Sequence, residues 1–252
     1  MQFWRNYMIK TDEIISKIEK YASPELAESW DNTGWQINLH HDYTNRVLIA
    51  LSFTKEVLEQ AITNDCDLII THHPPIFHKL NKIDNNILIQ AIKHNICVYS
   101  AHTNLDKTYG STTDALCGVL GLKNLVTVND YIKISHLKDE IALDEFVSGV
   151  KQSLNSDRIK LINPNGVQTV RNVAVSAGAG GGFIEALSDY DIDLYITGDV
   201  KFHAALEVEG FAVADIGHFE SELPVLPLIQ GLIAKTGVET IIAREQVPWV
   251  YI

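Results

Sequence analysis

The sequence DLIITHHPPIF (residues 67–77) joins an apolar segment to two adjacent histidines and two prolines. The apolar part predicts a buried strand, and the prolines end it because proline cannot continue a central strand ladder. Neighbouring side chains on a regular strand point to opposite faces, but a chain that turns at Pro74 can bring His72 and His73 to one side. The stretch is therefore either a strand end with incidental histidines or half of a metal site.

Strands and helices alternate on both sides of this stretch. Apolar runs and helical periods predict strands at 46–52, 67–73 and 96–102 and helices at 11–22, 54–64, 85–95 and 111–121. This alternation, with strands apolar throughout, predicts an α/β fold with mostly parallel sheets covered by helices. Functional residues in such sheets collect beyond the carboxyl ends of the strands.

The composition changes around residues 122–140, and we interpret this segment as a crossover into a second lobe. The pattern then resumes, with predicted helices at 143–155, 183–190, 202–210 and 226–237 and strands at 158–162, 171–180, 193–199, 211–218 and 239–252. The segment GHFESE (217–222) also has a helical pattern, which Ser221 or Glu220 would cap, with Pro224 in the first turn.

Composition excludes several classes of function. The 252-residue chain has 20 Lys and Arg against 32 Asp and Glu, a net charge of −12. It has no basic cluster of the kind that binds phosphate backbones, so we expect no nucleic-acid ligand. No apolar run is long enough to span a membrane, and the N-terminus has no secretory pattern. Three scattered cysteines predict neither disulfides nor a CxxC zinc site, so we expect a cytoplasmic protein.

Four histidines lie at the ends of predicted strands, and carboxylates accompany them. Asp106 follows His102 by four residues in HTNLD (102–106), and Glu222 follows His218 by four in GHFESE. A four-residue spacing places two side chains on one face of a helix.

Imidazole and carboxylate without thiolate are ligands for zinc, iron or manganese. One tetrahedral zinc ion needs about four ligands, and a larger set with a carboxylate that can bridge indicates two metal ions. The candidate ligands beyond the strand ends are His72, His73, Asp106, His218 and Glu222.

Five ordered motifs resemble the NIF-three-like family, whose members are also called GTP cyclohydrolase 1 type 2 homologues. They are ESWDNTGWQ (28–36), THHPPIF (71–77), AHTNLD (101–106), GDVKFHAALEVEG (198–210) and DIGHFESE (215–222). The resemblance covers nearly the whole chain. It implies two interlinked α/β lobes, a metal cleft between them and a toroidal homohexamer. It implies the same five ligands around two divalent metal ions, with Glu222 as the bridge.

On this basis we expect a first lobe formed by residues 1–124 and 225–252 and a second formed by 125–224, without an inserted domain. The expected function is metal-dependent hydrolysis of a nucleotide or similar substrate, of the GTP cyclohydrolase type by resemblance. Glu220 or His102 would carry the proton. The alternative functions are a non-enzymatic metal-binding scaffold and a regulatory interaction protein. For His102, the alternatives are a hydrogen bond to a metal ligand or a bound substrate and an orienting role within its own loop.

Several further residues have candidate roles that the sequence does not decide. His203, Asp199 and Lys201 are candidates for contacting substrate, and Asn32 and Gly34 for shaping a loop at the cleft rim. Trp30 and Trp35 are interpreted as packing residues. The turn SAGAGGGF (176–183) is either a tight strand-to-helix connection or a backbone surface for a phosphate. It has no P-loop signature.

Overall fold

The computed structural model describes residues 8–250 and contains thirteen strands and ten α-helices within them. The strands are β1 (Ile9–Lys10), β2 (Gly34–Ile37), β3 (Tyr43–Thr44), β4 (Arg46–Ala50), β5 (Leu68–Thr71), β6 (Cys97–Ser100), β7 (Val126–Thr127), β8 (Lys133–Ala142), β9 (Lys160–Ile162), β10 (Thr169–Val175), β11 (Leu194–Thr197), β12 (Ala212–Asp215) and β13 (Glu239–Ile242). The α-helices are α1 (Thr11–Tyr21), α2 (Lys55–Thr63), α3 (Asn86–Lys93), α4 (Thr103–Asp106), α5 (Thr112–Val119), α6 (Leu143–Leu154), α7 (Ile184–Leu187), α8 (Phe202–Leu206), α9 (His218–Glu222) and α10 (Val225–Ala234).

The chain packs as two compact units, and the first is discontinuous. Unit 1 comprises the described residues up to Thr108 and from Leu226 onward, and unit 2 comprises Tyr109–Val225. This α/β architecture is the predicted fold class, with helices and mostly parallel or mixed sheets in each unit.

Unit 1 is built on a five-stranded sheet in the order β13-β4-β5-β6-β2. The first four strands are parallel, and β2 pairs with β6 in the antiparallel direction. Residues on one face, such as Leu48 and Ile69, pack with apolar residues of α2 and α3. Residues on the other face, such as Ile49 and Ile70, are also fully buried, which explains why these strands are apolar throughout.

Unit 2 is built on a six-stranded sheet in the order β7-β8-β10-β11-β12-β9. Its central strands β10, β11 and β12 are parallel, whereas the outer pairings are antiparallel. Val173 and Ile196 on one face pack in a cluster with α5 and α6, and Ala174 and Tyr195 on the other face pack against α7. The sheet is therefore buried on both faces at its centre.

Several sequence-based assignments differ from the structure. Of the predicted strand at 239–252, only Glu239–Ile242 forms a strand within the described residues. The segment predicted as a crossover (122–140) contains β7 and most of the ten-residue β8, whose polar residues lie on an exposed part of an antiparallel pair. Helix α9 begins at His218, not near Ser221, and Gly217 is its N-cap with φ 88°. Pro224 consequently follows α9.

The structure bears on the membrane and cysteine predictions drawn from composition. Among residues 8–250, no helix has both the length and the apolar character needed to cross a membrane. Cys66, Cys97 and Cys117 are buried free thiols. Burial raises the pKa of Cys66 to about 11 and that of Cys117 to about 12, so these thiols are poor metal ligands and poor nucleophiles.

Candidate metal centre

His72 and His73 follow the carboxyl end of β5, and a short turn brings their rings together. The Thr71 hydroxyl donates to the carbonyl oxygen of His73 (2.9 Å), and the two ring centroids lie 5.1 Å apart. The Nδ1–H of His72 donates to the carbonyl oxygen of Ala101 (2.8 Å), while Nδ1 of His73 shares a hydrogen bond with Oγ of Ser52 (2.9 Å). Because Nδ1 carries the proton, Nε2 is the nitrogen through which neutral His72 can bind a metal ion.

His102 belongs to the same histidine group in unit 1. It follows β6, the neighbour of β5, and its ring centroid lies 5.3 Å from that of His72 and 5.7 Å from that of His73. Candidate ligand atoms of the three imidazoles all lie within 4.8 Å of one another, so this group could hold a metal ion.

Asp106 adds a carboxylate to the histidine group. It is the last residue of α4, and its Oδ1 lies 3.5 Å from Nε2 of His72. Zinc bonds to nitrogen and oxygen are about 2.0–2.2 Å long, so two ligands of one ion stand roughly 3.0–3.5 Å apart. The spacing of His72 and Asp106 therefore fits two ligands of one metal ion.

Asp31 orients His102, and the sequence patterns did not single it out. Its fully buried side chain accepts from Nδ1–H of His102 (2.8 Å), and the backbone N–H of Asn32 donates to the same oxygen (2.8 Å). Its other oxygen accepts from the N–H and the hydroxyl of Thr103 (3.1 and 2.6 Å). Burial alone would raise the pKa of Asp31, but the bonds from His102 and Thr103 outweigh it and lower the pKa to about 2.

Unit 2 carries a second imidazole–carboxylate pair, formed by the two ends of α9. His218 and Glu222 are four residues apart, and Nε2 of His218 lies 3.0 Å from Oε2 of Glu222. Like the pair in unit 1, this one has the spacing of two ligands of one metal ion. Glu222 is buried, whereas the His218 side chain is 32% exposed.

Asp199 holds the other nitrogen of His218. Its Oδ2 lies 2.8 Å from Nδ1, and its backbone has the left-handed φ of 54°, which is rare outside glycine. Burial would lower the pKa of His218, but hydrogen bonds to Glu222 and Asp199 and their negative charges raise it to about 9. Without a metal ion, a proton therefore holds the nitrogen and oxygen of this pair together.

Gly178 makes room for the Glu222 carboxylate. It follows β10 with φ 70°, and a Cβ at this position would lie 2.3 Å from Oε1 of Glu222. Its N–H also donates to the hydroxyl of Ser221 (2.8 Å). Gly180 and Gly181 likewise pack against the Thr197 hydroxyl and the Asp199 backbone. Close packing thus accounts for Gly178, Gly180 and Gly181 of the SAGAGGGF turn, but not for Gly182, whose Cβ would meet no heavy atom within 4 Å.

The remaining predicted residues of unit 2 lie apart from the His218–Glu222 pair or support it. The Glu220 carboxylate folds back onto Gly217, where a Cβ would stand 2.3 Å from its Oε2. His203 is exposed and contacts the ring of its neighbour Phe202. Lys201 is also exposed, as the N-cap of α8.

The two units and their histidine–carboxylate groups define an α/β protein with a candidate metal site. The family model described as Duf34/NIF3 (NGG1p interacting factor 3) matches residues 9–248. The chain therefore belongs to the Duf34/NIF3 family, as its five motifs predicted.

Individual relatives agree with this assignment. A protein of Clostridium acetobutylicum named GTP cyclohydrolase 1 type 2 homolog is 31% identical over 94% of this chain and 96% of its own. NGG1-interacting factor 3 of Saccharomyces cerevisiae is 28% identical over 92% of this chain and 93% of its own. The crystal structure of a Bacillus cereus protein related to NIF3 has the same fold, with a TM-score of 0.87 and 22% identity over 96% of this chain and 99% of its own.

The Asp31–His102 hydrogen bond predicts the tautomer of His102. A carboxylate accepts only, so neutral His102 carries its proton on Nδ1, whereas a side-chain amide at the same position can present either its oxygen or its NH₂ group to the ring. We expect Asp31→Asn to populate the Nε2–H tautomer, measured by ¹⁵N NMR of the metal-free protein.

Thr103→Val is the matched control for this variant. It removes a hydrogen bond to the same carboxylate but leaves the bond to His102, so the Nδ1–H tautomer should persist. An unchanged tautomer in Asp31→Asn would show that Asp31 does not set it.

The fit of Gly178 against Glu222 predicts that Gly178→Ala weakens zinc binding about tenfold or more. The new methyl group must displace the Glu222 carboxylate from His218, and alanine in the left-handed region costs about 1–2 kcal/mol. Zinc titration and thermal unfolding measure the two effects. Gly182→Ala, with no heavy atom near its Cβ, is the control, and equal zinc affinity in both variants would contradict the prediction.

Proposed function

We propose that the protein binds two divalent metal ions and is a metal-dependent hydrolase acting on a nucleotide or a similar substrate. The proposed ligands are His72, His73, Asp106, His218 and Glu222. In this proposal His72 and His73 bind different metal ions, and Glu222 bridges the two ions. The observation that carries the proposal is the spacing within each pair, 3.5 Å for His72–Asp106 and 3.0 Å for His218–Glu222. Zinc, iron and manganese all suit this donor set.

We assign the proton transfer during hydrolysis to side chains of this protein. When bound, the metal ions would lower the pKa of water and neutralise charge that develops on the substrate. Of the two proton carriers expected from the sequence, His102 is the better supported, because its ring adjoins those of His72 and His73 and Asp31 orients it. Glu220 is directed at Gly217 and is the weaker candidate.

The names of the relatives support the proposed reaction type. Several are named GTP cyclohydrolase 1 type 2 homolog. A GTP cyclohydrolase opens the imidazole ring of GTP with release of formate. The ligand set specifies a metal centre and not a guanine pocket, so other nucleotide and phosphoester hydrolyses belong to the same proposal.

The alternative function is a non-enzymatic metal-binding scaffold or regulatory interaction protein. The name of the yeast relative, NGG1-interacting factor 3, favours it. Structural metal sites are usually closed by protein ligands, whereas catalytic sites keep an open position. The side chains of Asp106 and His218 are 18% and 32% exposed, which supports the enzymatic function.

We also propose that the protein is a cytoplasmic, toroidal homohexamer, as the family resemblance implies. Its buried, free thiols suit a reducing compartment. The net charge of −12 opposes a nucleic-acid partner.

Metal analysis tests the ligand set directly. We expect two metal ions per wild-type chain by elemental analysis and no more than one in His218→Ala or Glu222→Ala. Affinity should rise with pH up to about 9, because below that pH a proton must leave His218 before a metal ion binds. His203→Ala, which removes an exposed histidine of the same unit, should retain both ions. Full retention in the two ligand variants would overturn the assignment.

A second experiment tests the hydrolase. Protein loaded with zinc, iron or manganese should hydrolyse at least one nucleotide in a screen that includes GTP. His102→Gln should lower the turnover rate per bound metal ion by about 10²–10⁴, because it removes a proton carrier. Rates are compared per bound ion because the His102 imidazole could also hold one. His94→Gln replaces an exposed histidine of the same unit and should be fully active. If the metal-loaded protein turns over no substrate, the hydrolase proposal is wrong and the scaffold function is the supported alternative.

A further inference from the structure

Two exposed aromatic rings flank His102 in unit 1. The centroid of Trp30 lies 6.1 Å from that of the His102 ring and the centroid of Phe77 lies 5.8 Å from it, both in edge-to-face geometry. Their side chains remain 61% and 46% exposed. Trp35, by contrast, packs edge-on against the buried Tyr99 and is a packing residue as expected. The sequence-based interpretation of Trp30 as a packing residue does not match its exposure.

The backbone that carries each ring is held by hydrogen bonds. Trp30 directly precedes Asp31, whose carboxylate binds His102 and Thr103. Phe77 directly follows Ile76, whose carbonyl oxygen accepts from Nδ2 of Asn32 (2.6 Å) and whose N–H donates to Oε1 of Gln36 (3.3 Å). The backbone that carries the two rings is therefore held beside His102 before any ligand arrives, which lowers the entropic cost of binding.

We propose that Trp30 and Phe77 bind a planar aromatic ring of the substrate and place it beside His102. This inference rests on the proposed function and specifies its substrate class. Aromatic side chains recognise bases by stacking on their faces, whatever the base. Neither ring carries a charge, so stacking is the affinity that Trp30 and Phe77 can supply.

A second copy of the chain is the competing occupant of these rings. It would cover His102, and with it the histidine group that a hydrolase must keep open to substrate. The exposed rings thus favour a small aromatic ligand, and because both rings contact His102, such a ligand would lie near its imidazole.

Binding of guanosine, adenosine and ribose to the zinc-loaded protein, measured by calorimetry, tests this proposal. We expect both nucleosides to bind and ribose, which is the nucleoside without its aromatic base, to bind at least tenfold more weakly. Trp30→Ala should weaken nucleoside binding about tenfold to a hundredfold, the usual effect of losing one stacking partner. Trp30→Phe, which keeps an aromatic face, should restore most of the affinity.

Controls separate this proposal from the metal-binding function. Trp249→Ala removes another exposed tryptophan of unit 1 and should bind nucleosides like wild type. Metal content should be unchanged in Trp30→Ala, so its loss of nucleoside binding would not report a lost metal. The proposal is overturned if Trp30→Ala binds nucleosides normally, if ribose binds equally well, or if Trp30→Ala changes the native mass, which would identify the rings as an interface between copies.

Discussion

The arrangement of the candidate site depends on one repeated interaction, a hydrogen bond at Nδ1 of each histidine. Each bond is 2.8–2.9 Å long. Nδ1 of His72 is bonded to Ala101, that of His73 to Ser52, that of His102 to Asp31 and that of His218 to Asp199. A bond at Nδ1 fixes the plane of the ring and directs Nε2 toward a metal ion or a proton. These bonds exist before any ion is bound, so the fold itself orients the imidazoles.

The same strand geometry supplies these interactions in both units. In unit 1, Ser52, the His72–His73 pair and His102 follow the adjacent parallel strands β4, β5 and β6. In unit 2, Gly178, Asp199 and His218 follow the adjacent parallel strands β10, β11 and β12. Although the sheet of unit 2 is mixed, the strands that carry its candidate residues are its parallel ones. The carboxyl ends of neighbouring parallel strands meet at one edge, and this gathers residues distant in sequence.

This geometry explains which features were predictable from sequence. Histidines at the ends of apolar strands carry a local signal, and the strand–helix alternation predicted the α/β class. Asp31 carries no such signal, because its partner His102 is 71 residues away and only the fold brings them together. Strand β8 was missed because its exposed polar residues, in KISHLKDEIA, resemble a connection more than a core strand. The start of α9 was misplaced because Gly217, not a serine or glutamate, is its N-cap.

The His218–Glu222 pair also bears on how metal binding and folding are coupled. Burial would lower the pKa of His218, but the hydrogen bonds to Glu222 and Asp199 and their negative charges raise it to about 9. At neutral pH, with no metal ion bound, a proton therefore lies between Nε2 of His218 and the Glu222 carboxylate. The pair is then an ion pair in which Nε2–H of His218 donates to the Glu222 carboxylate. Binding of a metal ion at Nε2 would therefore exchange one cation for another and release a proton. The left-handed backbone of Asp199, a conformation that aspartate adopts more readily than most residues, accompanies the placement of its carboxylate at Nδ1 of His218.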